Sequence, residues 1–136
     1  MKLISLIDNT AVDEKLYSEN GMSFYLEFGG KNYLIDAGLT GKAAENARRM
    51  GLPMQELDSV VITHNHSEHI GGIDSFMKLS PDAAIYLRAG AQTECFRKNG
   101  LFKEAVGAGK GFFRKYAKNL VLFNSFSEEA EGFYLA

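Results

Sequence analysis

The sequence predicts an α/β fold: one mixed sheet, with helices on at least one of its faces. Three observations carry that reading. Residues 22–38 have the pattern of a glycine-turned β-hairpin, "SVVIT" (59–63) is a continuous apolar run, and strand and helix patterns alternate between residues 40 and 89. A chain of 136 residues is sized for one domain with its own core, so residues 1–136 are read as a single domain.

The elements follow in order. "KLISLID" (2–8) reads as a strand, and the polar, turn-rich stretch 8–21 as a surface loop. In "MSFYLEFGGKNYLIDAG" (22–38), Phe24, Leu26 and Phe28 alternate with polar or amphipathic neighbours, Gly29-Gly30 supplies the turn, and Tyr33 to Ile35 return. Thr40 is placed to cap a helix over 41–50 whose Ala43, Ala44, Ala47 and Met50 share a face, and Gly51 is placed to stop it. The apolar run at 59–63 fits a strand buried on both faces. Gly71-Gly72 then lead into a helix over "IDSFMKL", ended by Pro81, and "AAIYLRA" (83–89) is a further strand. Between 91 and 119 the pattern is mixed, with a helix suggested over 91–100; strands return at 120–126 and 132–136.

Composition narrows the function. A formal net charge of −2 gives no reason to expect nucleic acid or an anionic membrane as partner. The apolar run Leu3 to Ile7 is too short for a leader or a spanning helix, which sets the expectation of a cytoplasmic protein. Cys95 is the single cysteine, so no internal disulfide and no thiolate-rich metal site is available, and it reads as a small apolar residue.

The chemistry concentrates in "VVITHNHSEHIGG" (60–72), which holds all three histidines of the chain, His64, His66 and His69. His64 and His66 leave a strand end two residues apart, so extended geometry sends both to one side. His69 follows a tight turn and can swing back. Three imidazoles meeting at one point suit a borderline divalent ion: zinc first, with iron or manganese as alternatives given carboxylate help. Gly71 and Gly72 let the backbone pass close to that point, and the helix they open would aim its N-terminal amides at an anionic substrate.

This segment resembles the H-x-H-x-D-H motif of the metallo-β-lactamase superfamily. "LIDNT", "GMSFYLEFGGKNYLIDAGLTG", "NARRMGLPMQELDSVVITH" and "HIGGI" extend the likeness toward a subgroup of metal-dependent hydrolases and dihydropterin-type phosphate synthases. The resemblance is close over residues 2 to about 90 and loose beyond. It implies that His64 and His66 bind a first metal, that Glu68 and His69 bind a second, and that Asp36 orients a histidine from behind. It also implies a metal-bound hydroxide attacking an ester, phosphoester, thioester or amide; a small-molecule substrate is expected, and the basic run 110–118 could meet a phosphorylated one.

Two departures qualify it. Glu68 stands where the family has Asp, one methylene longer; it would ligate from a shifted position or serve as a general base through water. No histidine follows His69, whereas the family takes further ligands from its second half, and later carboxylates such as Asp74, Glu94 and Glu131 are not in ligand contexts. The expectation is therefore half of a metallo-β-lactamase αββα sandwich, a mixed sheet with helices on its outer face and the second half absent. Such a half would expose an inner sheet face lined by Phe24, Leu26, Ile35 and Val61, and a homodimer pairing sheet to sheet would cover it. One or two ions fit the residues present. The alternative is an inactive remnant keeping the fold and part of the site, or one completed by a partner chain.

Weaker signals point elsewhere. "GAGKG" (107–111) lacks the spacing of a phosphate loop and reads as a flexible turn. The basic run 110–118 reads as a solvated helix face with Phe112, Phe113 and Tyr116 turned inward, and Asp8 and Asn9 sit in a loop that can approach the site.

Overall fold

The computed structural model of the chain describes residues 1–93, 95–99 and 102–136. Its centre is a six-stranded mixed sheet built from β1 (Lys2–Ile7), β2 (Ser23–Phe28), β3 (Lys31–Ile35), β4 (Ser59–Ile62), β5 (Ala84–Arg88) and β8 (Leu120–Phe123), in that spatial order. The first three strands form an antiparallel meander, and β3, β4, β5 and β8 run parallel. This is the α/β mixed sheet the sequence predicts.

The register sorts the side chains into two faces. Tyr25 pairs with Leu34, Leu34 with Val60 and Val60 with Ile85, and these belong to one core with Leu6, Ile62 and Leu87. Helices cover that face. From α1 (Lys42–Arg49) come Ala43, Ala44 and Ala47, small enough to bring the helix close; α2 (Ser67–Ile70) and α3 (Ile73–Met77) add Ile70, Ile73, Phe76 and Met77. Tyr116, just past α4 (Lys110–Lys115), closes the layer, with Phe112 and Phe113 packed against it as expected. Each fully buried side chain of Leu, Ile or Phe size contributes about 1.5–3 kcal/mol.

The opposite face carries the row Phe24–Ile35–Val61, with Leu26 beside Tyr33, which are the residues the sequence assigns to an inner face. It is not bare. A C-terminal hairpin of β9 (Ser127–Ala130) and β10 (Phe133–Leu135) lies over part of it, with the Phe133 ring 4.6 Å from Tyr33 and 6.4 Å from Phe28. Leu26 and Val61 are buried, while Phe24 and Ile35 stay half-buried.

Several local expectations are corrected. The helix suggested over 91–100 is instead a two-stranded ladder, β6 (Phe96–Asn99) and β7 (Phe102–Ala105); positions 94, 100 and 101 lie outside the described residues. The stretch has no apolar stripe at helical spacing, and Phe96, Arg97 and Lys98 are all exposed. The strand over 120–126 stops at Phe123, and a short β9 precedes the predicted last strand. Thr40 is not the cap of α1: Gly41 takes that position, and the Thr40 hydroxyl donates to Glu19 at 2.6 Å. Among the described residues no helix is long and apolar enough to cross a membrane.

Candidate metal centre

The site lies past the carboxyl ends of β3 and β4. β4 is buried along its whole length and paired on both sides, by β3 and β5, which fixes the point and direction from which the next segment leaves. His64 is exposed, Asn65 buried and His66 half-buried, the alternation of an extended chain. At His66 the backbone turns into α2, which presents Glu68 and His69. The three imidazoles are neighbours: the His64 ring centroid is 4.0 Å from that of His69 and 4.7 Å from that of His66.

Asp36 stands behind them, fully buried, with a φ of 55°. A left-handed conformation at a residue other than glycine costs on the order of 1 kcal/mol or more and survives only where the surroundings impose it. Here they do. The Asp36 N–H donates to Val61 O (2.9 Å) and its carbonyl accepts from Ser23 Oγ (2.8 Å). Its carboxylate accepts from the Thr63 N–H, the Thr63 hydroxyl and His69 Nδ1, each at 2.8 Å.

That arrangement fixes protons on two rings. A carboxylate only accepts, so His69 carries its proton on Nδ1. The Thr63 hydroxyl spends its proton on Asp36, so its contact with His64 Nδ1 at 3.0 Å needs the proton on that nitrogen. With the proton on Nδ1, the neutral form of either ring has its lone pair on Nε2, the nitrogen that would ligate a cation. Burial, with the neighbouring His69 and His66, pushes His64 below its ordinary value and favours the neutral ring. Glu68 is half-buried, with Oε1 3.9 Å from His66 Nδ1. Its own backbone N–H, the Ser67 hydroxyl and the nearby histidines hold it below the usual carboxylate range.

By donor chemistry, three imidazoles and an ionised carboxylate fit a divalent ion. Among the described residues, no group of three or more His, Cys, Asp or Glu is arranged to hold one as the side chains stand; the rings pack against each other instead of converging. Glu94 lies outside the described residues.

The two glycines act differently from expectation. A Cβ on Gly71 would stand 2.2 Å from Leu39 O, and one on Gly72 would stand 2.1 Å from Ala37 O. They let the backbone press against the 37–40 turn, not against the metal point. That turn is held from the long loop by Glu19, which accepts from Leu39 N (2.9 Å) and Thr40 N (3.0 Å). Met22 N and Ala37 N bind the carbonyls of Glu68 and His69. Glu19, Thr63 and Asn65 are thus site residues that sequence reasoning missed; Thr63 and Asn65 had adjacency to histidines as a signal, and Glu19 had none. Asp8 and Asn9 remain exposed.

The family model of the metallo-beta-lactamase superfamily matches residues 17–98. Exodeoxyribonuclease WalJ of Streptococcus pneumoniae is 44% identical over 55 residues, 40% of this chain and 20% of that protein. Anti-Pycsar protein Apyc1 of Saccharibacillus brassicae is 33% identical over 76 residues, 56% of this chain and 29% of that protein. The crystal structure of Tm1679, a metal-dependent hydrolase of the beta-lactamase superfamily, superposes with a TM-score of 0.73 at 21% identity, covering 97% of this chain and 46% of that one. The chain therefore spans less than half of each of these relatives.

Proposed function

The chain belongs to the metallo-beta-lactamase superfamily, and from that premise we propose that it is a metal-dependent hydrolase of a phosphodiester in a small phosphorylated molecule, working in the cytoplasm. The observation that supports the reading is the Asp36–Thr63–His64 and Asp36–His69 network, which engages Nδ1 of two adjacent rings and so turns the ligand role to their Nε2 atoms. The bond class is supported by the printed name of one relative, an exodeoxyribonuclease.

In this reading His64, His66 and His69 hold the ion, with Glu68 as a further ligand or as the base that takes a proton from water. A bound divalent cation, zinc first, supplies Lewis acidity and lowers the pKa of water. The residues do the rest: Asp36 holds the His69 ring through Nδ1, Thr63 relays the same constraint to His64, and Glu68 stays ionised to accept a proton.

The test is elemental analysis of the purified protein together with turnover of bis-p-nitrophenyl phosphate, with the His64→Ala/His66→Ala double variant as control. Stoichiometric metal and turnover, both lost in the control, are expected. A second reading, a domain that keeps the fold without catalysis, is favoured by the packed rather than converging side chains among the described residues; no metal and no turnover in the wild type would leave it standing and sink the first.

A further inference from the structure

Between two imidazoles that face outward the chain carries one side chain that faces in. Asn65 is 3% exposed, and its amide is fully engaged with backbone. Nδ2 donates to Ala91 O (2.8 Å) and Ala108 O (3.3 Å), and Oδ1 accepts from the Ala108 N–H (2.8 Å). Two neighbouring contacts tighten the same seam. The Ser67 N–H donates to Val106 O at 2.8 Å, and a Cβ on Gly107 would stand 2.2 Å from Asn65 O. Ala91 and Val106 bracket the β6–β7 ladder, and Val106 N–H binds Cys95 O at 2.9 Å, so both stems of that ladder end at the histidine turn.

We propose that Asn65 is the positioning residue of the histidine turn. By locking the 106–108 loop it fixes the side on which His64 and His66 leave the strand. In an extended segment, consecutive side chains point to opposite sides. Anchoring the middle one in buried backbone therefore sets the direction of both neighbours, and the "GAGKG" stretch serves as the anchor's seat. The consequence for metal binding rests on the hydrolase reading above; the anchoring itself does not.

The experiment compares wild type, Asn65→Ala, Asn65→Asp and Gly107→Ala by site-resolved amide hydrogen exchange and by zinc affinity against a chromophoric chelator. In Asn65→Ala, the amides of Ser67 and Ala108 should exchange at least tenfold faster while those of β2 and β3 keep wild-type rates. Zinc affinity should fall about 10- to 100-fold, the range for losing an outer-shell partner of a ligand. Asn65→Asp keeps the acceptor for the Ala108 N–H and should restore part of that protection. Gly107→Ala leaves the amide in place but drives the loop off it and should give the same pattern, which decides the matter if Asn65→Ala does not fold. Wild-type exchange at Ala108 in a folded Asn65→Ala overturns the proposal. So does uniform acceleration that includes β2 and β3, or faster exchange with unchanged zinc affinity, since the loop would then move without the histidines. A wild type that takes up no zinc defeats the hydrolase reading alone, and the exchange pattern still decides the anchoring.

Discussion

Asp36 and His69 lie 33 positions apart and meet at 2.8 Å, carboxylate to ring nitrogen, on a backbone turned left-handed to make the meeting possible. Replacing Asp36 with Ala strands three donors at once: the Thr63 N–H, the Thr63 hydroxyl and His69 Nδ1–H. The expected loss is about 3 kcal/mol in urea unfolding, with zinc affinity lowered about 10- to 100-fold. A stable Asp36→Ala with wild-type zinc affinity would remove Asp36 from the site.

The close approach at Gly71 makes a second prediction. Gly71→Ala drives a methyl onto Leu39 O and should cost at least about 3 kcal/mol. Gly109→Ala meets nothing within 4 Å and should stay within about 0.5 kcal/mol of wild type. Chemical denaturation of the pair is enough; equal stabilities would contradict the packing of α2 on the 37–40 turn.

Alkaline pH tests the core. Burial, followed by the nearby Glu27, raises Tyr25 to about 12, above an ordinary value of 10.0. A folded value above the unfolded one means the neutral phenol is favoured in the fold. Its contribution is complete below pH 10 and is lost as pH rises toward 12. Stability should fall across that window, and Tyr25→Phe, which also gives up the bond to Asn32 Oδ1 (2.8 Å), should flatten the fall. Urea midpoints read as a function of pH measure both.

The covered sheet face makes a fourth. Phe133→Ala uncovers Tyr33 and Phe28 and should cost about 2 kcal/mol, less than a fully buried Phe because the ring is half-buried. It should also promote self-association. We propose that two wild-type copies pair through the same face, where Phe24 and Ile35 remain half-buried; a monodisperse wild-type monomer in light scattering at working concentration would overturn it.

Much of this was legible in the residues. Alternation gave the hairpin and apolar continuity gave β4, while the spacing of His64, His66 and His69 gave the cluster. Tyr25 was not legible as core, because a tyrosine beside Glu27 reads as amphipathic, and its hydroxyl's bonds to Asn32 and Glu27 account for the full burial of the ring. The β6–β7 ladder was obscured because Phe96, Arg97 and Lys98 are all exposed and show no period. The role of Glu19 depends on a contact about 20 residues away with backbone amides, which carry no side-chain signal at all. The packing of the imidazoles on one another is set by side-chain torsions that spacing does not specify.

Asp36, His64 and Ala91 each come shortly after the carboxyl end of a strand, and those strands, β3, β4 and β5, are parallel neighbours in the sheet. The candidate site and its supports are thus mounted on connecting segments along one rim, while register is kept by the ladder beneath. The β6–β7 excursion leaves from that rim and returns to it at the histidine turn, where Asn65 and the Ser67 N–H hold both of its ends, so the sheet's register does not depend on the ladder between them.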